Sequence, residues 1–96
     1  MLEIRPVCEN CGKDLPPDNT EAMICSFECT FCENCVNTIL HNVCPNCGGG
    51  FEKRPVRPKE KLIKYPSKAE TYHKRVDLAK FEPLLLKNKD VPPAER

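Results

Sequence analysis

The residues whose chemistry is plainest are eight cysteines, Cys8, Cys11, Cys25, Cys29, Cys32, Cys35, Cys44 and Cys47, in the order C-x2-C-x13-C-x3-C-x2-C-x2-C-x8-C-x2-C. Thiolates are soft metal ligands, and two of them separated by two residues chelate one ion through a tight turn. That spacing occurs at Cys8/Cys11, Cys29/Cys32, Cys32/Cys35 and Cys44/Cys47. Eight sulfurs divide evenly into two tetrahedral sites, the coordination zinc takes where its role is structural. Disulfides, the other use of so many cysteines, belong to oxidising compartments. The N-terminus MLEIRPVCEN has no apolar run of signal-peptide length, and no stretch approaches the roughly 20 apolar residues of a membrane span. A cytoplasmic, reducing setting is expected, with metal rather than disulfides and no membrane contact.

Two of the pairs share a longer text. Cys8-Glu9-Asn10-Cys11-Gly12 and Cys44-Pro45-Asn46-Cys47-Gly48 both spell C-x-N-C-G. A glycine after the second cysteine permits positive φ and lets backbone amides point at sulfur. The stretch CSFECTFCENC, from Cys25 to Cys35, packs four more ligands into eleven residues, which leaves three arrangements open. The crowded four hold one ion, and Cys8, Cys11, Cys44 and Cys47 a second. Alternatively the pairs interleave, Cys8 and Cys11 with Cys32 and Cys35, Cys25 and Cys29 with Cys44 and Cys47. In the third, Cys29, Cys32 and Cys35 followed by Cys44-Pro45 imitate an iron–sulfur run, with eight intervening residues where three are usual.

The elements that must position these ligands are short. Ala22 to Phe27 reads as a strand or hairpin arm carrying Cys25. Val36, Ile39, Leu40 and Val43 recur at helical spacing, predicting about two turns of helix from Cys32, with Asn42 as terminator. Apolar core candidates (Leu2, Ile4, Val7, Leu15, Met23, Ile24, Phe27, Phe31, Val36, Ile39, Leu40, Val43) nearly all lie in the first half, and so small a unit needs staples. Cysteine stops at Cys47 and a glycine run, Gly48 to Gly50, follows, so a metal-stapled α+β head over residues 1–50 is expected.

Beyond it the text changes. Residues 51–66, FEKRPVRPKEKLIKYP, carry prolines 55, 58 and 66 and six cations from Lys53 to Lys64, which predicts an extended basic segment. Ser67 and Glu70 form a capping box, and Ala69, Tyr72, Val76 and Ala79 make a narrow apolar stripe, predicting a helix over 67–82 that Pro83 stops. Residues 83–96 read as irregular. The formal charge of +1 conceals a division: residues 1–50 hold two basic and seven acidic residues, a net −5, and residues 51–96 hold thirteen and seven, a net +6. The head is a poor nucleic-acid binder, and any phosphate contact falls to residues 53–65, namely Lys53, Arg54, Arg57, Lys59, Lys61 and Lys64 with Tyr65 as a stacking residue.

The order and spacing of the eight cysteines, closing on Cys44-Pro45-Asn46-Cys47, resemble RING fingers of the all-cysteine type over residues 8–47. That resemblance implies two structural zinc ions with interleaved ligands, Cys8, Cys11, Cys32 and Cys35 for the first and Cys25, Cys29, Cys44 and Cys47 for the second. One point of geometry agrees with it. A helix begun at Cys32 carries Cys32 and Cys35 one turn apart toward a single ion, and Cys25 and Cys29 can face the other way. The fuller text, with MLEIRP, CSFECTFC, CPNCGG and the RPVRP…KLIKYP tail, is similar to a family of small bacterial cysteine-rich proteins without an assigned function, to about residue 66.

RING fingers commonly act as ubiquitin ligases, with an apolar residue after the first ligand, a bulky aromatic between the sixth and seventh, and a cation after the last. Here those places hold Glu9, the aliphatic Ile39 and Leu40, and Gly48; only Pro45 fits. Metal catalysis needs an open coordination position, and eight thiolates fill two sites. His41, three residues before Cys44, could replace a cysteine as a ligand but is expected to be exposed or to lie just behind the ligands near the helix end, and His73 is expected to be solvated. The expectation is a non-enzymatic zinc module that binds a protein through the surface between its metal loops and helix, with nucleic-acid association through the tail as the alternative.

Overall fold

The computed structural model describes residues 1–96. A β-hairpin comes first: β1 (Ala22–Ile24) and β2 (Thr30–Cys32) pair antiparallel with Ala22 opposite Cys32, Met23 opposite Phe31 and Ile24 opposite Thr30. The connecting loop, Cys25 to Cys29, closes with the Cys25 amide donating to the Cys29 carbonyl and Glu28 at φ 65°. A third strand, β3 (Glu52–Lys53), adds to the free edge of β1, giving the order β2-β1-β3. The sheet thus takes in residues beyond the glycine run, and the boundary expected at residue 50 lies inside the folded unit.

Cys32 ends β2 and caps α1 (Glu33–Cys35), its sulfur accepting from the Cys35 amide. The helix widens at once into a π-helical turn, Val36–Leu40, whose Val36 and Leu40 are buried. His41 and Asn42, at φ 48° and 60°, terminate it. Asparagine tolerates this left-handed geometry better than most residues, and the Asn42 side chain then accepts from the Phe51 amide at 2.9 Å. Phe51 meets Phe31 edge to face, centroids 5.4 Å apart. These two rings, with Leu15, Ala22, Val36, Leu40, Val43 and six buried cysteines, form the core.

Arg54 follows β3 and is only 4% exposed. Its guanidinium donates to the carbonyls of Arg5, Leu15 and Pro16 at 2.7–3.0 Å. Burial works against the charge and pushes its pKa down, and three carbonyl dipoles offset part of that cost. Lys53 pairs with Glu33 at 2.9 Å, and Arg57 donates to the Leu2 and Tyr65 carbonyls. Three of the six cations expected in an extended basic segment are therefore internal bonds of the fold.

The tail helix is displaced from its expected span. α2 runs Leu78–Asn88, with the Asp77 carboxylate accepting from the Ala79 and Lys80 amides. The segment expected to be helical from Ser67 is extended instead, because its backbone donors meet head carbonyls: Lys68 donates to Ile4 at 2.8 Å and Lys74 to Glu9 at 2.7 Å. Tertiary hydrogen bonds outweigh a narrow apolar stripe and a capping box in so short a stretch. Pro83 lies within α2 rather than ending it; it forfeits one bond, to Ala79, and the helix continues because Phe81, Leu84 and Leu85 give it a packed face. No helix is long and apolar enough to cross a membrane.

Arg54→Ala leaves the carbonyls of Leu15 and Pro16 without their donor. It is expected to destabilise the chain by about 2–3 kcal/mol, measured by chemical denaturation, whereas Lys61→Ala, on an exposed residue, should change stability by less than about 0.5 kcal/mol.

Candidate metal centre

The two C-x-N-C-G segments fold alike. In the first, Gly12 donates to the Cys8 carbonyl and Cys8 to that of Lys13; in the second, Gly48 donates to Cys44 and Cys44 to Gly49, all at 2.7–2.9 Å. The glycines sit at φ 77° and 78°, a conformation that disfavours any side chain at that step. Each loop presents its first cysteine to the interior and its second to the surface: Cys8 and Cys44 are fully buried, Cys11 and Cys47 exposed.

All eight cysteines are free thiols, and they gather in two places. The sulfurs of Cys8, Cys11, Cys32 and Cys35 lie within 4.8 Å of one another. Those of Cys25, Cys44 and Cys47 do the same. Cys29, on the far side of the hairpin loop, stands next to Cys25 but outside that tight group of three. The hairpin explains the division. Cys25 and Cys29 stand at its tip, toward the second loop, and Cys32 and Cys35 at the base of β2 and the start of α1, toward the first.

The first cluster has the dimensions of a metal site. Its Cys11 and Cys32 sulfurs are 3.7 Å apart, well beyond the roughly 2 Å of a disulfide. A tetrahedron with metal–sulfur bonds of about 2.3 Å has an edge of about 3.8 Å. Without an ion the arrangement is electrostatically unfavourable as thiolates. Burial pushes the Cys29, Cys32, Cys35 and Cys44 thiols up, and neighbouring thiolates add to the shift. Cys11 goes the other way: burial opposes it, but hydrogen bonds from the Lys13 amide and from Cys8, Cys32 and Cys35 prevail.

Polar donors surround both clusters. The Asn10 amide donates to the Cys35 sulfur and that of Asn46 to the Cys29 sulfur, each at 3.4 Å. Backbone amides of Phe27, Cys35 and Gly49 donate to Cys25, Cys32 and Cys47. Asn46 also reaches Glu9 Oε2 at 2.8 Å, so one asparagine links the two loops. Glu9 is buried, with Arg5 3.7 Å from its other oxygen. The asparagines occupy the same place in the repeated text, and their role was available there; only the fold shows which sulfur each one meets. His41 caps the π-helical turn in solvent; His73 is exposed as expected, and its ring lies beside Gly12 with Nε2 3.1 Å from the Asn10 carbonyl.

A small α+β module with two cysteine clusters that can hold metal ions is thus defined by its fold and site. The family model described as "Protein of unknown function (DUF1272)" matches residues 1–57, and the chain belongs to that family. It is similar to an uncharacterised protein of Rhizobium meliloti (strain 1021), 60% identical over 67 residues that cover 70% of this chain and 80% of that one. No solved structure matches it. The family match includes every cysteine, β3, Arg54 and Arg57, and stops before the tail.

A Cβ at Gly48 lies 2.8 Å from Asn88 Nδ2. Gly48→Ala is expected to cost about 1–2 kcal/mol from the left-handed backbone alone, and more from that clash. Combined with Asn88→Ala, its further effect should be smaller than in the wild-type chain, a coupling that a double-mutant cycle in denaturant measures.

Proposed function

We propose that this protein is a non-catalytic module in which eight cysteines hold two structural zinc ions and keep a protein-binding surface in shape. Cys8, Cys11, Cys32 and Cys35 surround the first ion; Cys25, Cys29, Cys44 and Cys47 surround the second. The observation that carries the reading is the first cluster, four sulfurs within 4.8 Å of one another contributed by two distant segments. For Cys29, support comes from the repeat: Asn46 donates to it as Asn10 donates to Cys35, and a ligand in each cluster then has an asparagine donor from the matching loop position. All-thiolate, closed sites suit zinc. Only 22 of 96 residues are buried, so the apolar core is too small to hold the fold alone, and structural zinc supplies on the order of 10 kcal/mol or more per site.

Nucleic-acid binding through the basic segment is the less favoured reading, since Arg54 and Arg57 and, at the surface, Lys53 are engaged within the fold and only Lys59, Lys61 and Lys64 of its six cations stay exposed without a side-chain hydrogen bond or ion pair. A ubiquitin-ligase role lacks the aromatic and the cation at the positions named above.

Intact-protein mass spectrometry under native conditions is expected to give two zinc ions per chain, without visible absorption. One ion, or an iron–sulfur chromophore, excludes the assignment. After cobalt substitution, Cys29→Ser should weaken thiolate-to-cobalt absorption by about one-eighth if the second ion stays on three sulfurs and by about half if it is lost, and leave the first site's binding of cobalt intact. An unchanged spectrum removes Cys29 from the ligand set.

A further inference from the structure

The surface between the two cysteine loops and the π-helical turn, where a protein partner is expected, is already covered by the chain's own tail. Beyond residue 68 only two side chains are buried, Phe81 and Asn88. They stand seven residues apart, two turns along one face of α2. Phe81 enters the core cluster, with Leu84 and Leu85 packed beside it. Asn88 donates to the Gly48 carbonyl at 3.1 Å, over the second cysteine loop. The extended residues before α2 seat on the first loop, where Lys74 donates to the Glu9 carbonyl and Val76 to Asn10 Oδ1.

The seat is open along its sides. Clefts of about 310 and 380 Å³ flank the helix, and Phe81 borders both, with Glu9, Pro45 and Asn46 on one side and Thr38 and Ile39 on the other. Most of the hydrogen bonds go to backbone carbonyls of the head, which any segment of the same shape can reach. We infer that this face is a receptor for a short amphipathic helix with an extended lead-in, carrying an aromatic residue and, seven positions on, an asparagine. The tail is its resident occupant, and a protein partner with such a segment engages the head by displacing it. The inference rests on the protein-binding role proposed above and names the chemistry of the partner. Tethering gives the resident segment an effective concentration on the order of millimolar. An external helix therefore succeeds only by binding more tightly or by meeting a weakened tail.

The test uses the full chain and a fluorescent peptide of residues 72–90. Phe81→Ala in the chain removes the resident anchor, so the peptide, which supplies its own Phe81, should bind this variant at least ten-fold more tightly than the wild type. A peptide carrying both Phe81→Ala and Asn88→Ala should bind neither. A variant that retains two zinc ions and does not bind the peptide overturns the receptor while leaving the zinc module standing; fewer than two ions in the wild type overturns the module instead. Hydrogen exchange on the wild type gives a decision that needs no variant. The amides of Val76, Phe81 and Lys89 should exchange at least ten-fold faster than those of Cys25, Glu33 and Arg54, because a displaceable tail opens without the sheet. Equal protection in the two sets shows that tail and head open only together, and the receptor reading then fails.

Discussion

Eleven residues, Cys25 to Cys35, supply sulfur to both clusters, and the rest of the head is arranged around that constraint. A two-stranded hairpin with its tip toward one cluster and its base toward the other is the shortest way to send neighbouring cysteines in opposite directions. The first loop then has to come to the base of the hairpin, where Asn10 donates to the Cys35 sulfur, and its Glu9 amide also reaches the Thr30 carbonyl nearer the tip. The second arrives at the tip after the π-helical turn reverses the chain at His41 and Asn42. Burial makes the Cys29, Cys32, Cys35 and Cys44 thiols resist ionisation, and a divalent ion held by the clusters would make it favourable.

Much of this was legible in the text because cysteine spacing restricts geometry severely. The repeated C-x-N-C-G announced two equivalent loops, and their glycines adopt nearly the same φ. The short helix after Cys32 also followed from periodicity, and of the hairpin only the first arm was legible, expected over Ala22–Phe27 and ending at Ile24. The π-helical widening did not, since Val36 and Leu40 keep the four-residue interval of an ordinary helix. Nor was the third strand visible: Glu52 and Lys53 are two exposed charged residues after a glycine run, and only pairing with Met23 and Ile24 makes them a strand.

The tail was the least legible part, for a physical reason. Ser67 with Glu70 and Asp77 ahead of Leu78 are both acceptable helix starts, and local propensity separates them by little. The decision is made by the head, whose Ile4 and Glu9 carbonyls engage the first of these segments and whose apolar floor accepts Phe81 in the second. Charge division between the halves also has its counterpart here, with Lys53 on Glu33 and Lys68 near Glu3. These exposed pairs are worth less than about 1 kcal/mol each and orient the tail more than they hold it.

Arg54 bears on how the molecule is made. Its three acceptors belong to residues 5, 15 and 16, yet the cation itself comes after the last cysteine and after the third strand. While the chain is being synthesised, every thiol has emerged before the group that fastens the N-terminal segment to the sheet. The head can therefore bring its cysteines together before residue 54 has left the ribosome, but the carbonyls of residues 5, 15 and 16 meet their donor only afterwards.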